Sequence, residues 1–338
     1  MSPRKQTTAL LAWITVCLVW GTTYLAIRVG LESVPVALLA GSRWLIAGTI
    51  LCLVLPLLGR PLPPRRAWGQ IFLLGFLMNA MGNGLVVWAE QFVASGLTAV
   101  VVAMVPFWTV LVQAMVSGGE RLTGRVLAGL ALGFLGIVVL VWPELTRGGV
   151  EGQQFVYGVL ALQVGGIGWA LGTTYTKRHS VDADPFAASA LQMLFAGLFL
   201  TAIGTALGEW RELTFTPRTG AAVLYLALVG SIVGYSCYAY ALKYLPVSTV
   251  ALYAYVNPII AVALGTLILA EPFSLRIVAA AALVFGGIAV VRRSRSDRGI
   301  DGHEGSEGRE GHEGVSPVTG STTLSPPAPA ASPGRQVV

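Results

Sequence analysis

The chain has 338 residues, of which 55% are hydrophobic and only 11% charged. A soluble domain carries about 25% charged residues, so no single water-bathed core accounts for this much apolar surface, and the solvent has to be lipid. The net charge of +6 does not suggest a nucleic-acid partner, because the positive residues sit in loops between apolar runs.

Taken in order, the apolar runs number ten, at roughly 9–29, 36–58, 69–91, 95–117, 124–142, 155–176, 186–207, 219–241, 246–270 and 274–292. Each approaches the ~20 residues that a helix needs to cross the hydrocarbon core. Arg4 and Lys5 precede the first run, which continues to about Val29 with no small-residue cleavage site, so it reads as a first transmembrane helix rather than a signal peptide. Cys17, Cys52 and Cys237 all lie inside apolar runs, which argues against a disulfide framework, and no metal-ligand spacing occurs there. The stretch from Ser294 is rich in Gly, Glu, Pro and Ser and predicts a disordered tail over 293–338.

The chain repeats itself. Pro258 follows Pro106 by 152 residues, while Glu271 follows Glu120, and Arg276 follows Arg125, by 151. Trp20 and Trp169, Arg43 and Gln192, and Ala47-Gly48 and Ala196-Gly197 are each 149 apart. The expectation is two repeats, 9–142 and 155–292, of five helices each. An odd number of helices per repeat makes the second enter the membrane from the opposite side, the inverted layout of many secondary transporters. With the N-terminus in the cytoplasm, fourteen Arg and Lys fall on the inner side, against Arg28, Arg147, Arg211, Arg218 and Arg276 outside. That asymmetry places both termini in the cytoplasm. Gly129/Gly133, Gly168/Gly172, Gly230/Gly234 and Ala282/Gly286 have the spacing of close helix crossings. Pro106 and Pro258 fall within apolar runs and predict kinks in helices four and nine. Glu120 and Glu271 fall at helix junctions and are read as structural.

Polar residues inside apolar runs need a reason. Asn79, Asn83 and Glu90 share one face of helix three, and Ser231, Tyr235 and Tyr238 one face of helix eight. Tyr253 and Asn257 are one turn apart on helix nine, as are Trp20 and Tyr24 on helix one and Trp169 and Thr173 on helix six. Arg43 lies about 10 Å below the outer surface, at 1.5 Å per residue from the start of helix two. Two readings stand for each stripe: hydrogen-bonding glue across a dry interface, or the wall of a water-filled cavity. Because five helices contribute, the set as a whole points to a cavity, with a substrate between the halves near the bilayer midplane. Glu90 reads either as an acid that carries protons or faces substrate, or as the ion-pair partner of Arg28.

Trp20-Gly21-Thr22-Thr23-Tyr24, the Ala37–Gly48 stretch with Arg43, Ala89-Glu90-Gln91-Phe92-Val93-Ala94-Ser95-Gly96-Leu97-Thr98-Ala99, and Tyr253-Ala254-Tyr255-Val256-Asn257-Pro258 through Glu271 together resemble the EamA family of the drug/metabolite transporter superfamily. Gly82-Asn83-Gly84 and Ala89-Glu90 are similar to its YedA-like exporters. The resemblance covers about 9–292. It implies an all-α integral membrane protein of ten transmembrane helices in two inverted five-helix EamA repeats. It further implies a plasma-membrane carrier, commonly an exporter of amino acids, other small metabolites or drugs, with no cofactor. The implied partners are the lipid bilayer and a small-molecule substrate, with protons as a candidate driving ion. The alternative class is an integral-membrane enzyme acting on lipid-linked substrates, which would show acids or histidines clustered at a membrane face. The inner loops offer only Arg65-Arg66 and Asp182/Asp184.

Overall fold

The structure, a computed structural model, describes residues 3–116, 122–179, 183–250 and 252–307. Among the described residues, eight helices are long and apolar enough to cross a bilayer: α1 (Arg4–Gly30), α2 (Val36–Leu57), α3 (Arg65–Ala89), α4 (Ser95–Met115), α5 (Gly124–Thr146), α6 (Gly149–Arg178), α7 (Pro185–Ala206) and α8 (Pro217–Tyr244). Two shorter apolar helices, α9 (Tyr253–Leu269) and α10 (Leu275–Val291), complete a ten-helix membrane fold. The exterior is apolar: Leu57, Met115, Leu267 and Leu275 are all more than 80% exposed. Arg43, Asn79, Glu90, Ser231 and Asn257 are buried. Greasy outside and polar within is the inversion expected where the solvent is lipid.

Helix starts buried in such a fold must find acceptors for their free N–H groups. Thr123 caps α5, and Asp184 caps α7 through the amides of Phe186 and Ala187. Thr216 and Thr219 form a reciprocal capping box on α8. Two acids act over long sequence distances. Glu209 accepts from the Ala37 and Leu38 amides at 3.2 and 2.9 Å and caps α2. Glu271 caps α4, accepting from the Ser95 amide at 2.8 Å, the Ser95 hydroxyl at 2.9 Å and the Gly96 amide at 3.2 Å. Ala270, in the left-handed region at φ 53°, turns the chain at the end of α9 towards that contact. Its repeat counterpart, Glu120, lies outside the described residues.

The two halves meet through reciprocal contacts. A Cβ on Gly48 would fall on the Leu194 backbone, and one on Gly197 on the Leu45 backbone. Gly41 faces Thr201 in the same seam, so the partner number falls along α7 as the number rises along α2. The pair α2–α7 is therefore antiparallel and self-complementary, the signature of a two-fold axis in the membrane plane. The pair α5–α10 repeats the pattern, Gly129 against Gly287 and Gly136 against Ala280. Small residues permit these approaches, and Gly168 and Gly172 likewise seat α6 on Leu77, Met78 and Met81 of α3.

Some features depart from the sequence expectation. Helix α4 is broken at Ala103–Met104, and Pro106 sits in the first turn of its second piece, Val105–Met115, rather than mid-helix. A proline is tolerated there because that amide has no helical acceptor in any case. Pro258 is inside α9, as expected, and a one-turn helix, Val247–Val250, precedes α9. Within α3 the nine residues Gly75–Asn83 are π-helical, and within α8 so are the nine residues Tyr225–Val233, 150 residues later. The described residues up to Ser294 form one compact unit. Over 293–307 the backbone is helical rather than disordered, because the helix that begins at Leu275 runs to Glu307. Extending a formed helix is cheap compared with starting one. The rest of the expected disordered tail, 308–338, lies outside the described residues.

Candidate functional site

A cavity of about 250 Å³ lies between the two repeats. Helices α1 to α4 wall it from the first repeat, and α6, α8 and α9 from the second. Seven of the ten residues expected to face a substrate line it: Trp20, Arg43, Asn83, Trp169, Tyr235, Tyr253 and Asn257. Both prolines, Pro106 and Pro258, also line it, as do Val102 and Ala254. Pro258 lies inside α9 and has no N–H, so the carbonyl of Ala254 loses its helical donor beside the cavity.

The π-helical turns aim side chains that a regular helix would place elsewhere. Ser231 donates to the carbonyl of Leu226 five residues back, at 2.9 Å, and its oxygen accepts from Arg43 Nε at 3.0 Å. Gly230, in the same turn, offers its carbonyl to Trp20 Nε1 at 3.1 Å. At the end of the α3 π segment, Asn83 Oδ1 accepts from Arg43 Nη1 at 3.1 Å. The Arg43 guanidinium also lies 4.5 Å from the Trp44 ring centroid. Its position is thus set by three helices, α2, α3 and α8.

Aromatic rings form the floor. The Trp20 ring lies 5.4 Å from Tyr235, 5.2 Å from Tyr238 and 5.0 Å from Tyr253, centroid to centroid. The contacts with Tyr235 and Tyr253 are edge-to-face and that with Tyr238 is tilted, and together they hold the rings as a set. Tyr24 and Tyr238 belong to the wall as well. With its amide oriented to donate, Asn257 reaches the carbonyls of Cys17 and Tyr253, both at 3.1 Å, and so ties α9 to α1 while facing the cavity. Glue and cavity wall are combined in the same side chains at Asn83 and Asn257.

Three expected residues stand elsewhere. Ser231 is fully buried behind Arg43 and orients it. Asn79 is buried in the π segment of α3, outside the cavity wall. Glu90 is 0% exposed and outside the wall, with no hydrogen-bond partner on either carboxylate oxygen. The expected ion pair with Arg28 is not formed: Arg28 Nη1 donates to the backbone carbonyl of Glu90 instead. That carbonyl is left free where α3 ends, and it competes for the guanidinium.

Of the residues absent from the expected set, Tyr24 and Tyr238 carried a sequence signal. They lie one turn from Trp20 and Tyr235 on the same helix faces. Gly82 stood in the Gly82-Asn83-Gly84 stretch that carries the resemblance, whereas Gly165 and Gly166 carried no signal beyond being glycines; Gly82 and Gly165 bring α3 and α6 together, and Gly166 packs against Val105 and Trp108 of α4.

The model of the EamA-like transporter family matches residues 7–142 and 156–293, once per repeat. The uncharacterized inner membrane transporter YedA of Escherichia coli (strain K12) is 39% identical over 74% of this chain and 79% of its own length. The uncharacterized transporter YvbV of Bacillus subtilis (strain 168) is 27% identical, over 86% of this chain and 92% of its own. An uncharacterized transporter of Archaeoglobus fulgidus is 25% identical, over 84% and 99%. A solved crystal structure, 21% identical, superposes with a TM-score of 0.56 over 84% of this chain and 96% of its own, which speaks to the fold alone.

Proposed function

The chain belongs to the EamA-like transporter family, and on that premise we propose that it is a secondary transporter that exports small amphipathic organic molecules by alternating access. The observation that carries this is the position of the cavity. It lies at the seam of two repeats that pack through a two-fold axis, with both prolines in its wall. Rocking one half against the other about such a seam exposes the same cavity first to one side and then to the other. Helices broken or interrupted at that level, α4 at Ala103–Met104 and α9 after Val247–Val250, are natural places for the bend.

The wall suits an organic molecule with a flat apolar portion. Trp20, Trp169 and Tyr253 offer faces, while Asn83, Tyr235 and Asn257 offer hydrogen bonds. A bare cation would ask for converging carboxylates, and Glu90 stands outside the wall. The plasma membrane, with both termini in the cytoplasm, is the setting proposed for this export, and protons are the candidate driving ion.

Purified protein in proteoliposomes, screened by counterflow against amino acids and other amphipathic metabolites, tests the reading. Asn83→Ala and Tyr235→Ala each remove a polar contact from the wall. Flux of a carried compound should fall about tenfold or more, while the melting temperature moves little, since an interhelical hydrogen bond in lipid is worth only about 0.6 kcal/mol. Variants that lose thermal stability yet keep wild-type flux and affinity would place the substrate elsewhere.

A further inference from the structure

The geometry points to an organic carboxylate as the cavity's ligand, its carboxylate held by Arg43. This rests on reading the central cavity as the transport site, and it narrows the substrate class from amphipathic molecules in general to anionic ones. Arg43 is 3% exposed and lines the cavity. A guanidinium stays charged at any physiological pH. Among the described residues, no carboxylate lies within salt-bridge distance of it. Its hydrogen-bond partners are neutral: the Ser231 hydroxyl on Nε and the Asn83 carbonyl oxygen on Nη1. The charged and titratable groups that act on it through space are Tyr235, Tyr24 and Glu90.

Burying a charge with only neutral partners is costly, and a protein keeps it when a ligand completes the pair. These bonds use two of the five N–H donors of the guanidinium, and Arg43 itself lines the cavity. A planar fork matches a planar carboxylate with two parallel hydrogen bonds. Ser231 and Asn83 meanwhile fix the plane, so little side-chain entropy is lost on binding.

The charge count sets the valence. Arg43 is the one charged residue in the described wall. A single positive charge balances a monoanion; a dianionic phosphate would leave excess negative charge in a site with no second cation. The rest of the wall, built around Trp20, Tyr24, Tyr235, Tyr238 and Tyr253, receives the flat apolar body and disfavours nothing except a second charge. An organic cation would meet Arg43 with like charge at close range, which repels it.

A charge series on one skeleton tests this on the full-length protein in detergent and in proteoliposomes. The probes are 3-phenylpropionate, 3-phenylpropionamide and 3-phenylpropylammonium, with affinity read by calorimetric titration and carriage by counterflow. The carboxylate should bind at least about tenfold more tightly than the amide, the ratio that ~1.4 kcal/mol produces, and the ammonium least of all. In Arg43→Gln the carboxylate should lose its advantage while amide affinity is retained; Arg43→Lys should keep a reduced preference, since it preserves charge without the fork. Should the Arg43 variants fail to fold, the ranking on the unaltered protein still decides. Amide or ammonium binding as tight as the carboxylate overturns the inference and leaves the transport site standing. Failure of all three probes to bind or be carried removes the cavity as the transport site, and the carboxylate with it.

Discussion

Glu271 shows how much a single side chain contributes outside the cavity. Its carboxylate takes three donors from the start of α4, the Ser95 amide and hydroxyl and the Gly96 amide. Hydrogen bonds to a charged acceptor are worth about 1.5–3 kcal/mol each, and in lipid no water replaces them. Glu271→Ala should therefore cost about 2–4 kcal/mol, lowering the melting temperature of the purified protein while the affinity of a carried compound in the surviving folded fraction stays the same. A variant that keeps wild-type stability would mean that the α4 amides find another acceptor. The sequence placed Glu271 at a helix junction, the end of α9. Which helix it caps was not legible, because Ser95 lies 176 positions away. The same limit applied to Arg28 and Glu90. Proximity at the outer helix ends suggested an ion pair, yet a free backbone carbonyl, invisible in a string of side chains, took the guanidinium. The cavity stripes were legible for the opposite reason. Trp20 with Tyr24, Tyr235 with Tyr238, and Tyr253 with Asn257 are local pairs on one helix face, and helical periodicity alone brings them together.

At the scale of elements, the antiparallel seam of α2 and α7 carries the two-fold axis, and glycine makes it possible. A methyl group at Gly48 or Gly197 would meet the backbone of the other helix, which has no rotamer to yield. Gly48→Ala and Gly197→Ala should each destabilise by about 1–3 kcal/mol, the range of overpacking in a tight core. Gly220 provides the control, since a Cβ there meets nothing within 4 Å. Gly220→Ala lies in the first turns of α8 and should be neutral or stabilising by up to about 1 kcal/mol. Melting of the three purified variants side by side is the measurement; equal shifts in all three would mean that helix propensity, not the seam, governs the effect. The seam was half-visible in the sequence, because Ala47-Gly48 recurs as Ala196-Gly197. The π turns at Gly75–Asn83 and Tyr225–Val233 were not. A π turn differs from an α turn by one residue in hydrogen-bond register, and no residue type announces it. Its recurrence at the same place in both halves is what distinguishes it from an accident of packing, and both turns position groups on Arg43.

For the whole molecule, inversion and orientation are separate questions. Inversion follows from five helices per repeat and from the antiparallel, reciprocal seam. Orientation rests on charge alone: fourteen Arg and Lys on one side against five on the other, which favours both termini in the cytoplasm. The connection between the halves, around Gly148 and Gly149, should then face the cell exterior, and the α6–α7 connection the cytoplasm. Cysteine labelling with a membrane-impermeant maleimide reads this directly. Gly148 itself is a poor site for the cysteine, because its φ of 64° suits glycine. Val150, next along, is 70% exposed in an ordinary helical turn. Val150→Cys should react in intact cells, whereas His179→Cys, exposed at the other end of α6, should react only after permeabilisation. Cys52 and Cys237 are half-buried and should be replaced to clear the background; Cys17 is buried and can stay. The reverse labelling order would turn the molecule over and place the export proposal in the opposite direction. Labelling of both positions from outside would mean that α6 does not cross the bilayer, and the five-helix repeat would fall with it.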